Sequence, residues 1–206
     1  MPQPIFYLLA GPNGAGKSSL YRAALAAGLI PAEAEFVNAD LHEATGLQHI
    51  ADSQLRSEAA RQWADGRRAD LLATARTFVS ETVFSHPSKL SLMVKAQQSG
   101  FAVVLLVVCL DHTDILLARV RQRVLEGGHD VPPERVLARY PRTLQNLSKA
   151  VRQADMALLY DTGSRGKSQV SPPVRIAVCQ GLTTKILVKT LPEWARIVLG
   201  DAEIQR

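Results

Sequence analysis

A glycine-rich segment close to the amino terminus has the residue types and the spacing of a phosphate-binding loop. It follows an apolar run, precedes a stretch of helical periodicity and fits the pattern G-x-x-x-x-G-K-[ST]. Small residues in such a loop let backbone N–H groups surround a phosphate, and the following helix directs its positive dipole end at the same place. The segment consists of Gly11, Pro12, Asn13, Gly14, Ala15, Gly16, Lys17 and Ser18, with Ser19 next.

Two side chains of this segment carry specific chemistry. Lys17 would reach the outer phosphates of a nucleotide, and the Ser18 hydroxyl would ligate Mg2+. Because the strand, the loop, the Lys-Ser pair and the helix all agree, the pattern predicts that the chain binds a nucleotide.

The rest of the sequence lacks the motifs of two large NTPase classes. Small GTPases read guanine through an Asn-Lys-x-Asp element after a strand, and no such element is present. Transporter-type ATPases need a Leu-Ser-Gly-Gly-Gln signature and an apolar strand that ends in Asp-Glu. Residues 125–129 approximate the signature without its serine, and Thr162 stands where the catalytic glutamate would follow Asp161. The chemical groups of both classes are therefore missing.

Acidic residues follow three of the predicted strands. In doubly wound sheets, ligands meet the carboxyl ends of the strands, which makes Asp40, Glu81 and Asp111 catalytic candidates. A small-molecule kinase needs one carboxylate at the acceptor hydroxyl and another acid to hold magnesium through water, and Asp40 and Glu81 could divide those tasks. Either could instead be a helix cap or turn residue. Residues 111–114 look like the start of a helix, so we interpret Asp111 as a cap.

The positive charge of the chain is concentrated in one segment. The net charge is +5, and residues 119–152 hold eight of the 24 Lys and Arg but only three of the 19 acids, which leaves 16 of each for the rest. Such a surplus beside a phosphate-binding loop would serve as countercharge for a polyphosphate.

Helical spacing within this segment suggests a lid. Arg119 and Arg123 are four residues apart and share one helical face, whereas Arg121 points away. A break rich in glycine and proline follows, and a second helix then carries Arg135, Arg139 and Arg142. Two helices with inward guanidinium groups could close over bound phosphates and exclude water. The alternative is a solvated basic face.

Length and composition indicate a single globular domain over residues 1–206. The chain is 47% apolar and 21% charged, which is typical of a protein with a sizeable core. Aromatic residues make up only 5%, so platforms that stack nucleic-acid bases are poorly supplied and nucleic-acid binding is not expected. The longest apolar run, 101–110, is shorter than the roughly 18 residues that span a bilayer, and no signal peptide is evident. We expect a cytoplasmic protein without a membrane segment.

Apolar β-rich runs alternate with helical periodicity, which predicts an α/β fold with a mainly parallel sheet flanked by helices. Cys109 and Cys179 each lie in a strand-like run and suggest neither a disulfide nor a metal site. Predicted strands span 5–10, 36–38, 77–80, 102–109, 156–160, 174–179 and, more weakly, 185–188. Predicted helices span 17–27, 53–74, 88–99, 113–125, 133–153 and 192–199, and 162–173 reads as an exposed loop.

Several motifs, taken in order, resemble the zeta toxin family of P-loop kinases, in the branch often labelled predicted ABC-type ATPases. Asn38-Ala39-Asp40 and the Arg-Val pair at 119–120, followed by Gly-Gly-His-Asp-Val-Pro at 127–132, are its more specific features. The resemblance covers roughly residues 4–180. The complete set is 10–18, 36–40, Ser80-Glu81-Thr82, 118–124, 127–132, Arg139-Tyr140 and Leu159-Tyr160-Asp161.

This resemblance implies a P-loop phosphotransferase that uses ATP and Mg2+ and has a small helical lid at 119–152. Its best-studied relatives phosphorylate the sugar 3′-hydroxyl of UDP-N-acetylglucosamine, and it implies an antitoxin-like protein as a candidate partner. By similarity, Asp40 would be the general base and Lys17 the ligand of the β- and γ-phosphates. Arg119, with Arg123 or a later arginine, would act on the transferring phosphate. Glu81, Thr82 and Arg139 would contact the substrate, with Glu81 a contact of substrate or of magnesium-bound water.

Two departures from the family pattern concern the acceptor and the lid. Val83 stands where the branch usually has a second hydroxyl residue, and Pro141 follows the Arg-Tyr pair. Two other functions stay open: an ATPase that drives a partner, and a nucleotide-dependent switch or RNA-binding module. For adenine, the sequence offers only the position of Asp161 and Thr162 after a predicted strand, and Trp194 is expected to be a core or interface anchor.

Overall fold

The computed structural model describes residues 2–126, 131–163, 172–181 and 183–200, and the backbone of 204–205. Its strands are β1 (Ile5–Ala10), β2 (Glu35–Val37), β3 (Phe78–Thr82), β4 (Ala102–Cys109), β5 (Met156–Asp161), β6 (Val174–Gln180), β7 (Thr183–Ile186) and β8 (Ile204–Gln205). Its helices are α1 (Lys17–Ala26), α2 (Ala39–Gly46), α3 (Ser53–Ala73), α4 (Ser88–Gln98), α5 (Thr113–Leu125), α6 (Pro133–Gln153) and α7 (Glu193–Leu199).

Within these residues the strands form one sheet in the order β2-β3-β1-β4-β5-β6-β7-β8. The pairs from β2 to β5 are parallel, β6 and β7 add antiparallel pairs, and β8 runs parallel to β7. The carboxyl ends of the five parallel strands therefore lie along one edge. The predicted fold class, a mainly parallel sheet flanked by helices, is confirmed.

Alternate residues of the central strands face two separate hydrophobic clusters. Phe6 and Leu8 of β1 join the cluster formed with α3, α4, α6 and α7, whereas Tyr7 and Leu9 join the cluster formed with α1 and α5. Since both faces are covered, β4 is apolar throughout, and this explains the long apolar run in the sequence.

One helix that the hydrophobic pattern did not predict is α2. No residue of α2 is buried, so it has no apolar face to produce a periodic signal. Its amino terminus is instead set by Asn38, whose Oδ1 accepts a hydrogen bond from the Leu41 amide at 3.1 Å. This short capped helix carries Asp40 in its first turn.

Helix α6 links the two faces of the sheet. Val136, near its start, belongs to the cluster with α1 and α5, whereas Leu144, Leu147 and Ala150 belong to the opposite cluster. Between them the Tyr140 hydroxyl donates to the Leu110 carbonyl at 2.9 Å, just beyond the carboxyl end of β4. The carboxyl half of α6 is therefore part of the core, although it lies inside the predicted lid.

Among the described residues, no helix is both long enough and apolar enough to cross a membrane.

Candidate functional site

The phosphate-binding loop connects β1 to α1 at the carboxyl edge of the sheet, where two neighbouring elements approach it closely. A Cβ atom on Gly11 would lie 2.0 Å from the Val108 carbonyl oxygen of β4. One on Gly14, whose φ is +82°, would lie 2.5 Å from the Leu116 carbonyl oxygen of α5. Because no side chain fits at such distances, these glycines allow the loop to pack directly on β4 and α5.

Lys17 turns back over this loop. Its Nζ donates to the carbonyl oxygens of Gly11 at 3.1 Å and Pro12 at 3.3 Å, and lies 3.6 Å from Oε1 of Glu81. Only 7% of the Lys17 residue surface is exposed. The ammonium group is thus held between the loop and an acid at the end of β3, where a phosphate bound by the loop would meet it.

Glu81 connects the loop to the next strand along the edge. Its Oε2 accepts a hydrogen bond from Nδ2 of Asn38 at 3.2 Å, and the other atom of that amide, Oδ1, caps α2. A continuous polar chain therefore runs from Lys17 through Glu81 and Asn38 to the helix that carries Asp40. The carboxylate of Asp40 itself is exposed.

Arg119 of α5 reaches the loop from the opposite side. Its Nη1 donates to the Thr162 hydroxyl at 3.1 Å and lies 3.5 Å from the Gly14 carbonyl oxygen, and its Nη2 donates to the Thr162 carbonyl at 2.9 Å. Burial lowers the pKa of the Arg119 guanidinium, and the nearby charge of Asp161 opposes that shift. Arg119 is therefore fixed over the loop as part of the packed structure.

Between α1 and α5 lies a cleft of about 770 Å³, within the range of about 300 to 1,000 Å³ typical of small-molecule sites. Four cationic side chains and two carboxylates line it, so its field favours an anion. The lining residues are Gly14, Gly16, Lys17, Ser18, Ser19, Arg22, Glu81, Ala118, Arg119, Val120, Gln122, Arg123 and Glu126.

The predicted site residues divide into three groups: those that line this cleft, those on the buried side of the loop, and those outside the cleft. Gly14, Gly16, Lys17, Ser18, Ser19, Glu81, Arg119 and Arg123 line it, while Gly11, Pro12, Asn13 and Ala15 form the buried side of the loop. Asp40, Thr82 and Arg139 do not line the cleft. Arg121 is exposed, as the helical spacing predicts.

Arg139 is partly buried, Asp40 is exposed, and the two charges interact outside the cleft. Partial burial and the neighbouring charges of Arg135 and Arg142 lower the pKa of Arg139, whereas the charge of Asp40 acts in the opposite direction. Arg135 and Arg142 themselves are exposed. Arg139 is thus near enough to Asp40 for their charges to interact.

Thr82 holds the turn that follows β3. Its Oγ1 accepts a hydrogen bond from the amide of Phe84, a buried residue with a left-handed φ of +62°. Two buried polar side chains of α6 fasten the same turn: Thr143 donates to the Val83 carbonyl at 3.0 Å, and Asn146 donates to the Phe84 carbonyl at 3.0 Å. The Thr82 hydroxyl therefore stabilises the turn through the Phe84 amide, and the Val83 carbonyl anchors the turn to α6 through Thr143.

Ser18 and Glu81, the predicted magnesium contacts, both line the cleft. Among the described residues no cluster of three or more His, Cys, Asp or Glu side chains is present. Mg2+ in nucleotide sites is commonly held by one or two protein oxygens together with water and phosphates, so one hydroxyl and one carboxylate at the cleft fit that ion.

Asp111 is a helix cap, but the helix that it caps is α7 rather than α5. Its carboxylate accepts hydrogen bonds from the amides of Glu193 at 3.1 Å and Trp194 at 2.6 Å. The prediction of a cap at α5 was wrong because α7, distant in sequence, packs against the end of β4.

The carboxylate of Asp161 accepts hydrogen bonds that hold the core and the following turn. It accepts a hydrogen bond from Nε1 of the fully buried Trp194 at 2.9 Å and another from the Gly163 amide at 3.0 Å. Trp194 is thus a core anchor, as predicted. The possible adenine contact through Asp161 stays a prediction, and most of the loop after it, residues 164–171, lies outside the described residues, as do Gly127, Gly128, His129 and Asp130.

Two residues that contribute to the site, Arg22 in the cleft and Thr162 behind Arg119, were not among the predicted site residues. Arg22 lies one helical turn beyond Ser18 on α1, so its i, i+4 spacing from the loop could have indicated it. For Thr162 the sequence offers only a position that suits an adenine contact. Its hydrogen bond with Arg119 joins residues 43 positions apart, for which the local sequence contains no signal.

Comparisons with known proteins identify a family and a fold. A family model described as AAA domain (AAA_33) matches residues 7–147. A structure from the PezAT chromosomal toxin-antitoxin system of Streptococcus pneumoniae is similar at 16% identity and a TM-score of 0.61, over 78% of this chain and 69% of that one. A putative kinase from Chloroflexus aurantiacus is similar at 19% identity and a TM-score of 0.54, over 69% and 79%.

The complex AvrRxo1-ORF1:-ORF2 with ATP contains a further similar chain, at 18% identity and a TM-score of 0.65. The match covers 85% of this chain but only 58% of that one, so the present chain spans little more than half of that relative. No curated protein matches the sequence. At these identities the structures show a shared P-loop kinase-like fold.

Proposed function

The chain belongs to the AAA domain family AAA_33, and from that premise we propose that it is an ATP-dependent kinase that phosphorylates a hydroxyl group of a small molecule. The observation that carries the proposal is the polar chain from Lys17 through Glu81 and Asn38 to the helix of Asp40. It connects a phosphate-binding loop to the helix that carries the Asp40 carboxylate, and a kinase needs both a phosphate site and such a carboxylate.

On the nucleotide side, the chain's own groups bind and orient the phosphates. Lys17 and the amides of the loop would hold the β- and γ-phosphates, while Arg119 and Arg123 face them from α5. Magnesium, held by Ser18 and by Glu81 through water, would neutralise phosphate charge. Arg22 adds a fourth cationic side chain to the cleft, and this excess of cations over its two carboxylates favours an anionic triphosphate.

On the acceptor side, Asp40 would accept the proton of the attacking hydroxyl as general base. Its exposed carboxylate suits this role, because a substrate can reach it, and its negative charge acts on the guanidinium of Arg139. Glu81, at the junction of the two regions, would orient the acceptor or magnesium-bound water. A sugar hydroxyl, with UDP-N-acetylglucosamine as the first candidate, is the acceptor that the zeta toxin resemblance suggests.

The test uses purified protein, labelled ATP and a panel of sugar nucleotides that includes UDP-N-acetylglucosamine. We expect one of them to gain a phosphate. We also expect Asp40→Asn to bind ATP normally but to lose transfer by about 100-fold or more, as removal of a general base does. Glu43→Gln is a matched control, since it removes an acid of the same helix that is already bonded to Ser57 of α3.

Each other result points elsewhere. Full transfer by Asp40→Asn would remove Asp40 from the base role. Steady ATP hydrolysis by the wild-type protein without any phosphorylated acceptor would favour the ATPase alternative. Salt-sensitive RNA binding would favour the switch or RNA-binding module.

We propose an antitoxin-like protein as the partner. Two of the similar structures support this, because one belongs to a toxin-antitoxin system and another is a complex of two components. If the kinase is toxic, induced expression of the wild-type chain stops bacterial growth, whereas the Asp40→Asn variant does not. Normal growth with a demonstrably active enzyme would argue against an antitoxin.

A further inference from the structure

We propose that Thr162 is a positioning residue that holds Arg119 in its working orientation over the phosphate-binding loop. This inference rests on the proposed kinase function and extends it to a residue at the end of β5. Thr162 is fully buried, so it acts through Arg119 and the loop.

The hydrogen bonds of Thr162 have a defined polarity. Its Oγ1 lies 2.9 Å from the Ala15 carbonyl of the loop, and only the single hydroxyl proton can serve that acceptor. The lone pairs of Oγ1 are then left to accept from Nη1 of Arg119 at 3.1 Å. One hydroxyl thereby joins the loop to the guanidinium group, with each hydrogen bond fixing the direction of the other.

A second contact fixes the plane of the guanidinium. Nη2 of Arg119 donates to the Thr162 carbonyl at 2.9 Å, so two atoms of Thr162 accept from two nitrogens of the same side chain. Such a paired contact restricts both the position and the rotation of the group.

Thr162 is itself held on a rigid base. Its amide donates to the Cys109 carbonyl of β4 at 3.2 Å. The preceding residue, Asp161, is fastened to the Trp194 indole and to the Gly163 amide. Strand β4 and the loop thus contact Thr162 directly, and α7 fixes the residue before it at the end of β5.

This arrangement has a catalytic consequence. An arginine that stabilises charge on a transferring phosphoryl group is most effective when its orientation is set before the reaction, because no free energy is then lost in reorganisation. The Thr162 hydroxyl sets the orientation of Arg119 in advance. It also fixes the position of Arg119 relative to the loop that would hold the phosphates.

The experiment compares Thr162→Val, which keeps the shape but removes the hydroxyl, with Thr162→Ser, which keeps it. We expect Thr162→Val to lower kcat about tenfold, since a hydrogen bond to a charged group is lost, and to weaken ATP binding by a smaller factor of about threefold. Thr162→Ser should restore most of the rate. Thr184→Val is the control, because it removes another buried threonine hydroxyl, bonded to Cys179 Sγ away from the cleft.

A double-mutant cycle with Arg119→Ala tests the pathway of the effect. If Thr162 acts through Arg119, Thr162→Val has no further effect on kcat once Arg119 is removed. Independent, multiplying effects would overturn the inference, and so would a Thr162→Val enzyme with wild-type kcat. A lower melting temperature with unchanged kcat would show a merely structural role.

The same cycle on ATP affinity separates this inference from the kinase proposal. If the wild-type chain transfers no phosphate, the kinase proposal fails, but coupling between Thr162 and Arg119 in the Kd for ATP would still support the positioning role. Additive effects on Kd in that case would overturn it.

Discussion

At the scale of single residues, the most informative contact is the one that Lys17 makes with Glu81. The two residues are 64 positions apart in the sequence, but Nζ of Lys17 lies 3.6 Å from Oε1 of Glu81. Because β1 and β3 are adjacent parallel strands, their carboxyl ends bring these two groups together. Asn38 extends the contact to β2, so one network spans three neighbouring strands.

Replacement of Lys17 by alanine tests the nucleotide side of this network. We expect the affinity for ATP to fall about ten- to a hundredfold, since a charge-assisted contact with phosphate is lost. The matched control is Lys149→Ala, which removes an exposed lysine of α6. Calorimetric titration with ATP measures both variants, and an unchanged Kd in Lys17→Ala would contradict the assignment of the loop as the nucleotide site.

At the scale of elements, the decisive contact is the one between the loop and α5. Leu116 lies against Gly14, and Arg119, one turn later, is directed over the loop. At the other end of the predicted lid, Leu144 and Leu147 bury the second half of α6 in the core. Both ends of the segment 119–152 are therefore packed parts of the fold, and closure of the segment over a nucleotide stays a prediction.

A pair of glycine substitutions tests the packing of α5 on the loop. Gly14→Ala places a Cβ 2.5 Å from the Leu116 carbonyl oxygen at a left-handed φ, so we expect it to destabilise the fold by about 1 to 3 kcal/mol and to weaken ATP binding. Gly66→Ala is the control: the exposed Gly66 lies within α3 with open space around its Cβ, and alanine there should stabilise by about 0.5 to 1 kcal/mol. Urea denaturation measures both, and a neutral Gly14→Ala would mean that α5 can move away freely.

At the scale of the whole molecule, the positions of the basic residues are more informative than the net charge of +5. Arg119 and Arg123 face the cleft, Arg139 lies near Asp40, and the remaining basic residues of 119–152 are exposed. Only part of the positive charge of this segment therefore lies at the cleft or near Asp40. Arg22, from a part of the chain without a surplus, supplies another cation.

Burial of ionisable groups predicts how stability depends on pH. Burial raises the pKa of Cys109 to about 12 and also raises the pKa values of Cys179, Tyr7, Tyr21, Tyr140 and Tyr160. Each group keeps its proton in the folded chain at a pH at which the unfolded chain has lost it. The stabilisation is thus complete below the pKa of the unfolded chain, near 9 for a thiol and 10 for a phenol, and is lost as pH rises above it.

We therefore expect the free energy of unfolding to fall between pH 8 and pH 10.5, with a limiting slope of about 1.4 kcal/mol per pH unit for each such group. Urea denaturation across this range measures the slope. In the same range a thiol reagent should react with Cys109 and Cys179 only after unfolding, because both are buried. A flat profile together with rapid thiol labelling of the folded chain would contradict the burial of these groups.

Much of the architecture follows from local patterns in the chain. The limits of β1, β4, α5 and α6 agree with the prediction to the residue, since strong apolar periodicity, prolines and turn residues mark them. Helix α2 was missed because it buries nothing, and the partner of Asp111 was misjudged because α7 follows 82 residues later.

The candidate site shows the same division. By itself the sequence determined the loop, its lysine and serine, the alternation of strands and helices and the acids at the ends of β2 and β3, because each depends on spacing within a short stretch. Only the tertiary structure decided that Glu81 pairs with Lys17, that Asp40 lies outside the phosphate cleft, and that Thr162 holds Arg119. Those relations join distant positions across neighbouring strands, and strand order and helix packing, rather than local spacing, bring them together.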